Sequence, residues 1–538
     1  MMSSKGQVYA IKIVDFISKT EGPVYFELAC TSCTSIVPSQ FDIARFLSMN
    51  TSNDLAILSF HRCAVTSNDT YSIQSPAHYD VINSSIPVTA DGEFESCDVI
   101  TRNGSEVTAV TQCTSWVYDK SVFEESVVSE LDIVCGNSLF KSHTTMMMFA
   151  GKMTGSLIVG LAADRLGRKP VMVTLILILA AASVGNAFVD SLATLFVTRF
   201  FTGMATTGSF IVTRLIVTEY VQPTARSKVA LISDTCNLIG GLSLVPIAYT
   251  RRNWQDIQLI ILWPIAVVVI LSWVIPESAR WLMTRGRYED AQRAVERAAK
   301  INRRTIHPDI MTSLNADKDK EAATSQSPLS LFQSAKLAVR WFAIYFNRLV
   351  ISMMIYGLTL NVTTLGGNIF LNFALSLLAG VTGSFIAAFV VERVSRKYFF
   401  MTCLLTAGSL CLMTFIPVLA GADPWVVTLF STVGKMFTSM SLLLINVYAA
   451  ELFPTSCRGF GLATTSMFGQ VGGIASPYVA DLNIYVSGQF GVIMPQLVFG
   501  AAGISGGLVT LVLPDTRNRK LPDTIEDAEN FGEQAERH

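Results

Sequence analysis

The sequence predicts an all-α membrane protein, with twelve transmembrane helices arranged as two six-helix halves. Three observations carry that expectation: a shortage of charge, its uneven placement, and an internal repeat. Of 538 residues, 51% are hydrophobic and only 15% charged, against about 25% charged in an ordinary soluble protein. Residues 49–142 and 276–340 hold 37 of the 81 charged side chains, which leaves long stretches nearly bare. With 40 Lys+Arg against 41 Asp+Glu there is no basic arm or acidic tail. Nucleic acid is therefore not an expected partner.

A spanning helix needs roughly 20 mainly apolar residues. Segments 171–189, 257–275, 369–391, 398–422 and 483–514 contain no charge, and 144–163, 192–218, 229–249, 341–360, 425–449 and 459–480 contain at most two each. A twelfth candidate, Pro23 to Leu47, carries Glu27, Asp42 and Arg45. Residues 1–22 lack the apolar core and small-residue cleavage site of a removable signal and read as a cytoplasmic N-terminus.

Lys and Arg orient the spans. Two short loops are basic, Asp164-Arg165-Leu166-Gly167-Arg168-Lys169 and Glu392-Arg393-Val394-Ser395-Arg396-Lys397, and loop 276–340 has 12 Lys+Arg against 8 Asp+Glu. Loop 49–142 is the opposite, with 4 against 13. The basic loops belong in the cytoplasm and 49–142 outside, which puts both termini inside and requires an even number of spans. The outer loop also holds glycosylation acceptor sequences at Asn50, Asn68, Asn83 and Asn103. Its four cysteines, Cys63, Cys97, Cys113 and Cys135, suit two disulfides in an oxidising compartment, with three pairings open.

The repeat follows from four landmarks in the same order. Gly155-Ser156-Leu157-Ile158 leading to Asp164 and Lys169 recurs as Gly383-Ser384-Phe385-Ile386 leading to Glu392 and Lys397, at an offset of 228. Glu219 and Arg226 flank Pro223-Thr224 as Glu451 and Arg458 flank Pro454-Thr455, at an offset of 232. Gly240-Gly241 matches Gly472-Gly473, and Pro276-Glu277-Ser278 matches Pro514-Asp515-Thr516. The chain thus divides into a first half at 23–275, a cytoplasmic linker at 276–340, a second half at 341–514 and a cytoplasmic tail at 515–538. Duplicated halves with a site near the bilayer midplane are the architecture of secondary transporters.

The inner-face acids and arginines are Asp164, Arg165, Arg168, Glu219, Arg226, Glu277 and Arg280 in the first half, and Glu392, Arg393, Arg396, Glu451 and Arg458 in the second. They read as gating groups whose ion pairs form and break as the halves rock, or as plain anchors and helix-end caps. No phosphate-binding loop, nucleophile elbow, zinc spacing or His cluster appears, so no enzyme, cofactor or metal is expected.

The landmark loop Gly160 to Lys169 and its second copy resemble the signature of the major facilitator superfamily. Pro276-Glu277-Ser278-Ala279-Arg280-Trp281-Leu282 and Glu451-Leu452-Phe453-Pro454-Thr455 narrow the resemblance to sugar porters and organic ion transporters. The Cys-bearing outer loop closing with Ser126 to Cys135, and the tail Leu521 to Glu529, are similar to the organic cation, organic anion and carnitine transporter family. That resemblance implies plasma-membrane transport of small organic ions. It also implies an acid at the positions of Gly380 and Gln470 in cation-selective relatives. In anion and carnitine relatives it implies a basic residue at the latter, and a Lys where Lys435 stands.

Ionisable groups inside spans are costly and therefore functional candidates. Arg214, Asp234, Arg348, Lys435 and the mid-span Gln470 form the expected substrate site, although Arg214 and Asp234 are also placed to neutralise each other as a bridge. Lys152, Arg348 and Lys435 have no partner visible in the sequence. The aromatic residues Phe210, Tyr345, Tyr356 and Tyr448 suit either a cation or packing. The charges lean toward a carboxylate-bearing anion or a carnitine-like zwitterion. The alternatives are a strict organic cation transporter, a sugar porter, or a non-transporting receptor on a carrier fold. The expected partners are the substrate ion and the lipid bilayer, and the coupling ion stays open.

Overall fold

The structure is a computed structural model that describes residues 61–66, 69–88, 94–103, 106–121, 123–220, 226–301, 334–361, 368–454, 458–482, 489–517, 522, 525–529 and 531. The expected first span, with Glu27, Asp42 and Arg45, lies outside the described residues, as do Asn50 and Asn68.

A helix α1 (Pro76–Ser85) and two small antiparallel sheets form a domain, called the outer domain for the side on which the charge asymmetry expects it. Strand β1 (His61–Cys63) pairs with β4 (Trp116–Tyr118), and β2 (Asp98–Asn103) with β3 (Glu106–Gln112). Cys63 is bonded to Cys113 and Cys97 to Cys135, each with Cα atoms 5.6 Å apart, so one of the three open pairings is present. The buried Asp69 carboxylate accepts from Arg62 at 2.6 and 2.7 Å and from the backbone N–H of Val65 at 3.0 Å, and pairs with His78 at 2.8 Å. Burial alone would raise the Asp69 carboxyl, but the hydrogen bonds from Arg62, Val65 and His78 outweigh it and hold it well below the usual carboxylate range. The Asn83 side chain is exposed on α1.

Eleven long helices follow among the described residues: α2 (Leu139–Leu166), α3 (Arg168–Ala187), α4 (Leu192–Tyr220), α5 (Arg226–Thr250), α6 (Trp254–Val274), α7 (Ala335–Asn361), α8 (Ile369–Val390), α9 (Arg396–Met413), α10 (Pro424–Leu452), α11 (Arg458–Ala480) and α12 (Gln489–Val509). They match expected spans two to twelve, and eight of them are long and apolar enough to cross a membrane on length and composition. Asparagine side chains start two of them. Asn253 accepts from the N–H of Gln255 at α6, and Asn368 from Phe370 and Leu371 at α8. The ninth differs from the expected continuous 398–422: α9 stops at Thr414, whose hydroxyl returns to the Cys411 carbonyl at 2.6 Å, and a short helix, Phe415–Leu419, continues. Trp263, Ile270, Phe389 and Trp425 lie exposed on the outer surface of the bundle, as a lipid solvent allows.

Glycines set the tightest seams. A Cβ on Gly151 would lie 2.0 Å from the Phe200 carbonyl oxygen, and one on Gly203 2.0 Å from that of Met148, so α2 and α4 touch through backbone. The repeat places α8 against α10 in the same way, with Gly383 on the carbonyl of Met436. Between halves, α2 packs on α11 and α5 on α8.

Candidate functional site

At the inner end of the first half, Arg168 opens α3 and pairs with Asp164 at 3.0 Å and with Glu219 at 3.4 Å. Glu277 accepts from the backbone N–H groups of Arg168, Lys169 and Ser278 at 2.9–3.2 Å, so a carboxylate caps the positive end of α3. Gly167 makes that approach feasible: it has φ +110°, and a Cβ there would lie 2.5 Å from the Glu277 carboxylate. Tyr220 donates to the Glu277 carbonyl at 2.7 Å. The second half repeats the device. Arg396 pairs with Glu451, Tyr448 donates to the Pro514 carbonyl, and Asp515 accepts from Ser395 Oγ at 2.7 Å and from the N–H of Lys397. Burial would raise the Asp515 carboxyl, yet these donors together hold it low. Each ion pair leaves the same two atoms buried without a hydrogen bond among the described residues: Nε of Arg168 and Arg396, and Oε2 of Glu219 and Glu451.

These sets bind within a half rather than across the two. Asp164 and its neighbour Arg165 are exposed, and the Asp164 carbonyl accepts from Trp281 Nε1 at 2.9 Å and Arg285 at 2.6 Å. Arg280 and Glu392 are exposed, and Arg393 stacks 3.8 Å over Phe389. The side chains of Arg226 and Arg458 lie outside the described residues.

The halves are joined at the outer end. Asp481, just past α11, takes Lys141 of α2 at 3.1 Å and the hydroxyl of Ser142, with both ionic side chains buried. Phe370 of α8 meets Phe123 of the outer domain and Tyr249 of α5, with ring centres 6.2 and 5.6 Å apart. Further in, Tyr478 of α11 donates to the sulfur of Met146 at 3.2 Å.

Halfway through the bundle, α7 and α2 converge on glycines of α11. A Cβ on Gly469 would lie 2.7 Å from Arg348 Nε, one on Gly472 2.1 Å from the Leu349 carbonyl oxygen, and one on Gly473 2.3 Å from the Phe149 ring. Arg348 of α7 donates to Asn446 at 3.3 Å, while its Nε is buried without a hydrogen bond among the described residues. Gln470 is 8% exposed, and its Oε1 likewise accepts nothing there. Lys435 of α10 is 5% exposed and donates to Ser376 of α8. Lys152 of α2 lies over the rings of Phe149 and Tyr356, at 5.2 and 5.7 Å. The three cations that lack a partner in the sequence thus have neighbours in space: an amide, a hydroxyl and two rings.

A model of the family described as "Sugar (and other) transporter" matches residues 76–526. The organic cation transporter protein of Drosophila melanogaster is 32% identical over 429 residues, 78% of this chain and 77% of that one. Solute carrier family 22 member 13 of Homo sapiens is 31% identical over 487 residues, 87% and 85% of the two chains. The chain belongs to the organic ion transporters of the major facilitator superfamily. Among solved structures, the xylose transporter from E. coli in a partially occluded inward-open conformation matches with a TM-score of 0.57, over 72% of this chain and 90% of that one, at 16% identity. That likeness shows the fold.

In this organic ion transporter, the expected site residues are only partly brought together. Arg348 lies against Gly469 on the α7–α11 seam, Gln470 is buried one residue further along α11, and Lys435 sits apart between α8 and α10. Arg214 is exposed, with its guanidinium 4.4 Å over Phe210, and the Asp234 side chain lies outside the described residues, so their bridge is not placed. Of the four aromatic candidates, Phe210 and Tyr356 face cations. Tyr345 stacks on Phe468 and Tyr448 ties down Pro514. Sequence reasoning passed over Arg199 of α4, which is 5% exposed and makes no hydrogen bond or ion pair among the described residues. Its signal was available: an arginine seven residues into an apolar span, between Thr198 and Phe200.

Proposed function

We propose that this transporter carries small organic ions bearing a carboxylate, either anions or carnitine-like zwitterions, across the plasma membrane by alternating access. One observation carries the charge preference. With the first and last six residues of each helix set aside, α2–α12 carry Lys152, Arg199, Arg214, Arg348 and Lys435 against a single acid, Asp234. Positive charge inside a span is a functional candidate by default, and its excess over acids favours a substrate that brings a carboxylate. Gln470 adds a buried amide on α11, where an acid would invite a bare cation.

Alternating access is supported by the asymmetry of the contacts. Asp481 and Phe370 join the halves at the outer end, while the inner-face pairs stay within their own half. The unused Nε and Oε2 atoms of Arg168–Glu219 and Arg396–Glu451 are suited to take partners across the mouth when the inner ends close. Modification at Asn50, Asn68, Asn83 and Asn103 belongs to the same reading, on an outer domain that faces the oxidising side.

The name of the Drosophila relative favours a second reading, strict cation transport, with Asp234 as its acid. Replacing Gln470 separates the two. Under the carboxylate reading, Gln470→Asp raises tetraethylammonium uptake and lowers benzoate and carnitine uptake in expressing cells, at equal surface amount. Uptake of tetraethylammonium but of neither carboxylate by the unaltered protein, unchanged in Gln470→Asp, contradicts it.

A further inference from the structure

Lys152 is a basic residue, 7% exposed and about 20 Å along α2 from its outer end, at 1.5 Å per residue. That depth is halfway through the membrane. Phe149 stands three residues before it, so helical spacing puts ring and ammonium on one face. The second ring, Tyr356, comes from the other half, with the two ring centres 4.7 Å apart. Gly473 of α11 fixes the arrangement from behind, because any side chain there would collide with the Phe149 ring. At the repeat offset of 228, the counterpart of Lys152 in the second half is Gly380. The duplication therefore gives this charge no scaffold role to share.

We propose that Lys152 is a specificity-determining residue that receives the carboxylate of the transported ion, a proposal that rests on the carboxylate reading above. Ring faces attract the ammonium through their quadrupoles, but a charge-assisted hydrogen bond to a carboxylate is stronger and directional. The four-carbon stem lets the ammonium leave the rings and reach a ligand without moving α2. Because Phe149 and Tyr356 belong to different halves, their cradle exists only while the halves meet at this level. Rocking the halves apart separates the rings and frees the ammonium, which ties carboxylate capture to the transport cycle. A substrate with an ammonium and no carboxylate meets like charge at this point and is rejected.

The test uses the full-length chain in expressing cells, with labelled benzoate, carnitine and tetraethylammonium as probes and surface amount measured for each variant. Lys152→Met keeps the length and removes the charge, Lys152→Gln is a second neutral form, and Lys152→Arg keeps the charge. The expected result is a KM for benzoate and carnitine raised at least tenfold in both neutral forms. Lys152→Arg should stay within about threefold of the unaltered protein, and tetraethylammonium uptake should rise in the neutral forms. Benzoate and carnitine KM values unchanged in a neutral variant that reaches the surface overturn the proposal and leave the carboxylate reading standing. Unaltered protein that carries only tetraethylammonium overturns both. If neither neutral form reaches the surface, purified Lys152→Arg and unaltered protein decide: a benzoate-induced thermal shift that does not differ in size or midpoint when Lys152 is selectively acetylated also overturns the proposal.

Discussion

At the inner end of the first half, Arg168 holds Glu219, Tyr220 holds the backbone carbonyl of Glu277, and the Glu277 carboxylate covers the start of α3. At the inner end of the second, Arg396, Glu451, Tyr448, Pro514 and Asp515 do the same work on α9. Halfway through the membrane the correspondence is lost. Lys152 faces Gly380 across the repeat, Lys435 replaces Gly203, and Gln470 replaces Leu238. Where Gly203 lets backbone touch backbone, Lys435 reaches for Ser376 instead. Groups retained in both copies hold each half together, whereas groups present in one copy are the ones to which the proposal assigns the choice between small ions.

The largest effect should come from the seams. A methyl on Gly203 collides with backbone at 2.0 Å, while one on Gly380 meets Ser439 Oγ at 3.4 Å, ordinary contact. Gly203→Ala is expected to remove most protein from the cell surface, and Gly380→Ala to leave surface amount near normal, by surface biotinylation. Equal loss in both would mean that the bundle is packed as tightly around Gly380 as around Gly203.

Next comes the outer end. Asp481→Ala strands the buried Lys141 ammonium, a loss of about 3–5 kcal/mol for a broken buried pair. The expected outcome is an outer mouth that opens more often, read as faster external alkylation of a Met146→Cys probe beside Tyr478. An unchanged alkylation rate would confine the pair to local packing.

The inner ends should respond alike. Arg168→Ala and Arg396→Ala are each expected to slow turnover roughly tenfold, the lower end of about 1.5–3 kcal/mol for a hydrogen bond to a charged group. Binding from outside should be preserved. A large effect in one half only would break the equivalence drawn here.

The smallest effect concerns the outer domain and pH. Asp69 has its carboxyl depressed in the folded state, so its contribution is complete above the ordinary carboxylate range, near pH 3.9. It disappears only as pH falls through the still lower folded value. Hydrogen exchange in β1 and β4 should therefore be flat between about pH 7 and 5 once corrected for intrinsic rates. Asp69→Asn should weaken protection across that whole range.

Much of the fold was legible because the duplication kept residue identities at the inner ends, where Glu219 and Glu451 or Arg168 and Arg396 announce each other. Helices α2–α12 were legible from apolar length, except at Thr414, where a hydroxyl bonded to its own helix interrupts a run with no charge to mark it. Disulfide connectivity was not legible: four cysteines fix a count, and only β1, β4 and the turn before α2 bring specific partners together. The site was half legible. Charge inside an apolar run flagged Arg348 and Lys435, and a mid-span amide flagged Gln470, but of the two rings from different halves under Lys152 only Phe149 leaves a trace in spacing. Arg199 was missed because the span around it is otherwise ordinary.

The central claim is that unpaired-in-sequence cations of the membrane middle select a carboxylate. It is tested most directly by competition at one concentration, with labelled benzoate, carnitine and tetraethylammonium supplied together to cells expressing the unaltered chain at a clamped membrane potential. Benzoate or carnitine should enter well ahead of tetraethylammonium, with the carboxylate-free cation near background. Saturable, potential-driven tetraethylammonium entry that exceeds both carboxylates would contradict the account.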